Sequence, residues 1–264
     1  DTDWDRVVTT LVTDMSNLFG QQSSFSNQNR GFNQNISSWD TSNVTNMSGM
    51  FRNNQAYWSS ANRNFNSWDT SKVTDMSEMF LDVENMDPLI ASWDVSSVTD
   101  MESMFKNCRL INQSIGSWDV SSVTNMRLMF NGTDYFNQAI GSWNTSSVTD
   151  MQGMFYGALE FNQNIGGWNV SNVTVMSSMF GQARRFNQDL NSWDVSKVTN
   201  ISAMFESALV FNGNISSWDT SSVTNMARVF ESASRFNQDI GNWDVSNVTI
   251  MSRMFTSAAA FVQD

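Results

Sequence analysis

Aspartate is the chemically capable residue type that recurs most regularly in this chain. Asp40, Asp69, Asp94, Asp119, Asp194, Asp219 and Asp244 take one place in a repeating W-D pattern, with Asn144 and Asn169 in the same place. On turns stacked about 4.8 Å apart, two such charges repel by roughly 0.9 kcal/mol even in water. Two kinds of partner relieve that repulsion. Nearby Ser or Thr hydroxyls and backbone N–H groups can donate to each carboxylate in an Asx-type turn. Alternatively the column forms a row of weak Ca²⁺ sites, since that ion takes oxygen ligands. Neither an EF-hand loop nor the glycine-rich Ca²⁺ nonapeptide is present, and two Asn dilute the charge, so no metal is assigned. Histidine is absent and Cys108 is the lone cysteine, which excludes a His triad, a His metal site and an intrachain disulfide. Glu78, Glu84, Glu102, Glu160, Glu206 and Glu231, with the aspartates, offer carboxylate pairs for glycoside hydrolysis. A catalytic pair should break the repeat, whereas the aspartates mostly belong to it, so neither enzymatic activity nor a cofactor is expected.

A second column is threonine, running from Thr45, Thr74 and Thr99 to Thr249. Its place beside a buried-type Val fits capping and hydroxyl ladders better than a flat ice-binding face. Asn137 and Gln138, repeated at Asn187 and Gln188, read as amide ladders that satisfy turn backbone. Eleven N-x-S/T sequons occur. Asn35, Asn43, Asn131, Asn172 and Asn247 are the glycosylation candidates, with Asn131, in NGTDYF, expected to protrude most. Two irregular stretches interrupt the pattern, Gly20 to Gly31 and Arg52 to Asn64. Tyr57 and Trp58 in the second either form a binding insertion for a sugar or a protein, or fold back over the core.

With 14 Lys+Arg against 26 Asp+Glu the net charge is −12, which leaves no basic patch for nucleic acid or anionic lipid. No apolar run approaches the roughly 20 residues of a membrane span. The opening DTDWD lacks the basic and apolar regions of a signal peptide, so the expectation is a soluble chain or a mature segment.

Positioning these columns is the task of an internal repeat. Trp68, Trp93, Trp118, Trp143, Trp168, Trp193, Trp218 and Trp243 are 25 residues apart, and Trp39 and Trp4 extend the series with gaps of 29 and 35. Units starting at 1, 36, 65, 90, 115, 140, 165, 190, 215 and 240 account for residues 1–264 as a single domain. In I-x-x-W-D-V the Trp and Val face one way and the Asp the other, the two-residue period of a short strand. In M-x-x-M-F-x-x-A, as at Met176, Met179, Phe180 and Ala183, the spacing predicts one face of a two-turn helix, capped near Thr174. One strand and one short helix cannot bury a core alone, so copies must stack with strands in parallel. The fold expected is an α/β repeat, a leucine-rich-repeat-like solenoid of ten turns, each a short parallel β-strand plus a short helix.

The unit, clearest in FNQDIGNWDVSNVTIMSRM (236–254), is similar to the BspA-like surface-protein repeats, a divergent branch of the leucine-rich repeats of bacterial and protist surface proteins. Their hallmark is W-D-V-S-x-V-T-x-M-x-x-M-F. The likeness covers nearly the whole chain. It departs in the first unit, where three extra residues separate Trp4 from Val12, and after Phe19 and Phe51. The resemblance implies a solenoid displayed outside a cell, with adhesive or matrix roles and no catalytic residues.

The ends suggest a sharper expectation. Phe261 and Asp264 stand where Phe236 and Asp239 stand one unit earlier, and three residues (Asp1 to Asp3) precede Trp4 and Asp5, as Ile240 to Asn242 precede Trp243 and Asp244. One chain would thus continue another in register, a heterologous contact that propagates. Asp1, Trp4, Asp5, Phe255, Phe261 and Asp264 are the candidate assembly interface of an extracellular, head-to-tail filament. The competing readings are a cell-surface adhesin that uses its side faces or the 52–64 insertion to bind surface glycans or matrix proteins, and a piece of a longer solenoid.

Overall fold

The computed structural model describes residues 4, 7–20, 31–60 and 62–263. The chain winds into stacked coils in register with the repeat. Parallel bridges join Asp75 to Asp100, Asp100 to Asn125, Asn125 to Asp150 and so on to Ile250, each 25 residues further, after wider steps from Asp14 to Asn46 and Asn46 to Asp75. The side chains expected to be apolar columns fill one continuous core, in which Val123, Met126, Met129, Phe130 and Phe136 are fully buried. Phe rings stack coil on coil, with centroids 5.8 Å apart at Phe80–Phe105 and 5.7 Å at Phe105–Phe130. Each such side chain contributes about 1.5–3 kcal/mol by leaving water, and none could do so in an isolated coil.

The expected helix-plus-strand turn is not what the backbone forms. Among the described residues there is no α-helix, and strand pairing is reduced to isolated bridges. The segment M-x-x-M-F-x-x-A is a run of overlapping β-turns. Met79, Leu81 and Val83 donate their N–H to the carbonyls of Met76, Glu78 and Phe80, three residues back. The alternate donors Met76, Glu78, Phe80 and Asp82 point to the next coil, reaching the carbonyls of Asp100, Glu102, Met104 and Lys106 at 2.7–3.0 Å. A helix would need all of those N–H groups for its own carbonyls four residues back. The turns also place Glu78 (φ 55°) and Asp82 (φ 59°) in the left-handed region, and each later coil repeats this at its two equivalent places. A two-turn helix would fix many dihedrals for few bonds, while the stack gives the same backbone a hydrogen bond to a neighbour at every second residue. The threonine therefore caps no helix. Thr99 N–H and its hydroxyl both reach the carbonyl of Thr74, at 2.9 and 3.2 Å.

The strand expected at I-x-x-W-D-V is likewise a corner between two turns. Trp93 N–H donates to Ile90 and Val98 N–H to Val95. The alternation of burial is nevertheless present, with Trp93 and Val95 buried and Asp94 exposed between them. The indole N–H groups tie coils together, as in Trp93 Nε1 to Phe65 O at 2.8 Å and Trp168 Nε1 to Ile140 O at 3.0 Å. Thr in place of the Val of W-D-V is also accounted for, since the buried Thr145 hydroxyl donates to the carbonyl of Asn169 in the following coil.

Candidate functional site

The aspartate column is held by its own coil. Ser42, Ser71, Ser96 and Ser196 each donate a hydroxyl, at 2.6 Å, and a backbone N–H, at 3.0–3.1 Å, to the carboxylate two residues before. Those serine donors hold the carboxyls of Asp40, Asp69 and Asp194 below the usual carboxylate range, as they do at Asp119, Asp219 and Asp244. Asn144 and Asn169 accept the same serine N–H, so the position asks for an acceptor oxygen rather than a charge. Among the described residues no three His, Cys, Asp or Glu side chains gather as a metal would require.

A second acceptor column follows each threonine. Asp75, Asp100, Asn125 and Asp150 receive the N–H two residues on. Asp100 is pushed upward by burial, against the pull of its Glu102 N–H and Asn125 donors. The F-N-Q amides form the third ladder. Asn162, Asn187, Asn212 and Asn237 each donate their backbone N–H to the side-chain oxygen of the Asn one coil earlier, at 2.7–3.0 Å.

The insertion splits the two aromatics singled out from the sequence. Trp58 is buried edge-on against Phe51, with centroids 5.4 Å apart, and covers the core where the coil is longer than usual. Tyr57 beside it is 77% exposed. Of the sequons, Asn35, Asn172 and Asn247 are exposed and Asn43 and Asn131 half-buried. Asn131 does not protrude, and its partner Thr133 is fully buried with its hydroxyl donating to Phe130 O. The amide nitrogens of Asn43, Asn172 and Asn247 already donate to the carbonyls of Thr10, Ser146 and Ser221.

Of the candidate assembly residues, Asp1, Asp5 and Asp264 lie outside the described residues, and Trp4, Phe255 and Phe261 are partly buried against the core. The last coil presents Val245, Ile250 and Met251 at 43–47% exposure, where Val195 and Val170 in inner coils are at 1%.

What the column reading did not single out is a strip formed by the two residues after M-x-x-M-F-x-x-A. Coil by coil it reads Glu84–Asn85, Arg109–Leu110, Asp134–Tyr135, Leu159–Glu160, Arg184–Arg185, Leu209–Val210 and Ser234–Arg235. The signal was available in the aligned units, as adjacent positions that vary where the W-D, V-T and F-N-Q positions around them recur. The strip carries exposed Leu110, Tyr135, Leu209 and Val210. Ion pairs cross its coils at Arg109–Asp134 (2.8 Å) and Arg185–Glu160 (2.9 Å). Two shallow depressions open along it. One of about 420 Å³ is lined by Glu84, Asn107, Arg109, Gly132, Asp134 and Leu159, and one of about 340 Å³ by Asn137, Glu160, Asn162, Arg185 and Val210.

A stack of short coils with the same recurring core and turn residues defines a repeat protein. Four overlapping stretches, residues 2–115, 54–156, 104–210 and 188–264, match the family model described as Mycoplasma protein of unknown function, DUF285. The chain belongs to that family. Among curated proteins none matches it.

Proposed function

We propose that the chain is a non-enzymatic binding rod of a cell surface or extracellular matrix, and that the variable strip is its recognition face. The observation that carries this is the contrast between columns. Asp and Asn recur at places whose side-chain oxygens are taken by their own or the next coil, and Thr and most of the Trp at places tied to the coil before, whereas the strip changes charge and polarity at every coil and most of its side chains are exposed. On a repetitive scaffold such positions are free of the demands of the fold and can be set by a partner. The likeness of W-D-V-S-x-V-T-x-M-x-x-M-F to the BspA-like surface repeats supports the same reading.

The test is to coat beads with the chain and score them on arrays of matrix proteins and glycans. Replacing Leu110, Tyr135, Arg184 and Arg235 together by Ser should abolish capture, while Lys72→Ser and Thr124→Ser, on the ladder face, should leave it intact. Capture that survives the strip variant refutes the proposal.

A further inference from the structure

Resting on the strip as recognition face, we infer that its C-terminal half takes a linear polysaccharide bearing carboxylates on alternate sugars. The amide ladder fixes one flank of the site. Asn137, Asn162, Asn187 and Asn212 each spend their side-chain oxygen on the backbone N–H of the next coil, at 2.7–3.0 Å. That bond sets the amide's orientation and leaves Nδ2 with no partner among the described residues, on side chains that are exposed. The result is a row of neutral, pre-oriented donors advancing by one coil, about 4.8 Å, at each step.

The other flank is cationic. Arg184 and Arg235 are exposed and have no ion-pair partner among the described residues, in a chain whose net charge is −12. Beside Arg184, Arg185 is held by Glu160 at 2.9 Å, and Arg185 and Glu160 line one depression with Asn137, Asn162 and Val210. The unpaired Arg184 and Arg235 stand two coils apart, about 10 Å along the stack. Between them Leu209 and Val210, each 39% exposed, offer an apolar step.

A ligand that fits must present acceptor oxygens at every step, an anionic group at every second step, and an apolar face between the charges. A polysaccharide alternating a uronic acid with a neutral sugar has these three properties, and guanidinium meets carboxylate with two parallel hydrogen bonds. An acidic peptide meets the arginines equally well. Its own N–H groups, however, face a row that is itself made of donors.

The test is calorimetric titration of the whole chain with a hyaluronan decasaccharide at low salt and at 0.15 M salt. A neutral dextran oligomer and a poly-glutamate of equal charge serve as controls. Binding by the decasaccharide alone is expected, weakened at least tenfold in Arg184→Gln/Arg235→Gln. It should also weaken in Asn187→Asp/Asn212→Asp, which keeps the ladder's acceptor oxygens and removes the free donors, with an unchanged unfolding midpoint. No binding, equal binding of poly-glutamate, or an affinity indifferent to the arginine pair overturns the inference. If strip-dependent capture of another ligand persists on the arrays, only this inference falls. If no binding of any kind depends on the strip, the proposed function falls with it.

Discussion

Replacing Trp93 by Phe should destabilise the chain by about 3 kcal/mol more than the same replacement at Trp118. The two indoles occupy one column and are buried alike, at 3% and 4% exposure. Phe in either place keeps a ring for the column and loses a similar part of the indole's packing. What differs is the N–H. Trp93 Nε1 donates to Phe65 O at 2.8 Å, while Trp118 Nε1 is buried with no hydrogen-bond partner among the described residues. Losing the first bond costs about 1 kcal/mol net. Removing the second N–H relieves a desolvation penalty of about 2 kcal/mol, the middle of the range for an unsatisfied buried donor. The shared packing loss cancels in the comparison, leaving about 3 kcal/mol. Urea unfolding of both variants and the parent, followed by far-ultraviolet circular dichroism, reads the difference directly if the three slopes agree. Equal losses, or a larger loss at Trp118, would refute the assignment of the indole N–H as the tie between coils.

Acid should loosen the fold through the aspartate column. Carboxyls whose folded pKa lies below the unfolded value near 3.9 contribute stability that is present above that value and lost as the pH falls through the folded one. Asp40, Asp69, Asp119, Asp194, Asp219 and Asp244 all have this sign, so stability should fall below about pH 4, and less steeply in Asp69→Asn/Asp194→Asn. Asp100 has the opposite sign, because burial raises it, so Asp100→Asn should stabilise the chain at pH 7 while still accepting the Glu102 N–H. Gly153, at φ 59°, should tolerate no Cβ cheaply. Gly153→Ala should cost about 1–2 kcal/mol from the left-handed backbone, and Leu128→Ala should recover only the contact part, since the added Cβ meets Leu128 Cδ2 at 2.6 Å. Cys108 is buried, its thiol donates to Phe80 O, and burial drives its pKa far up. An aromatic disulfide reagent should therefore react with it only after denaturation, and fast labelling of the native chain would contradict the buried placement.

Much of this molecule is set by the sequence alone. The 25-residue recurrence of Trp fixes the register of the coils, and the recurring apolar types fix one continuous core, because only stacked copies can bury them. The inward Trp and Val and the outward Asp are read correctly from a two-residue alternation. The backbone that carries them is not, because the periodicity of burial says which side chains turn inward and not where each N–H finds its acceptor. For Met76, Glu78, Phe80 and Asp82 that acceptor lies in the next coil, 24 residues along the chain, and it displaces the four-residue bond that would have made a helix. Gly49, Asn53, Asn107, Gly132, Gly153 and Gly157 at the left-handed places are the trace of this in the sequence, visible once the turn is known. Tertiary packing alone separates Tyr57 from Trp58, since the longer coil leaves a gap over Phe51 that a single indole fills. It also brings Asn137, Asn162 and Arg185 to the edge of one depression, because stacking turns a spacing of 25 residues into one step along the rod.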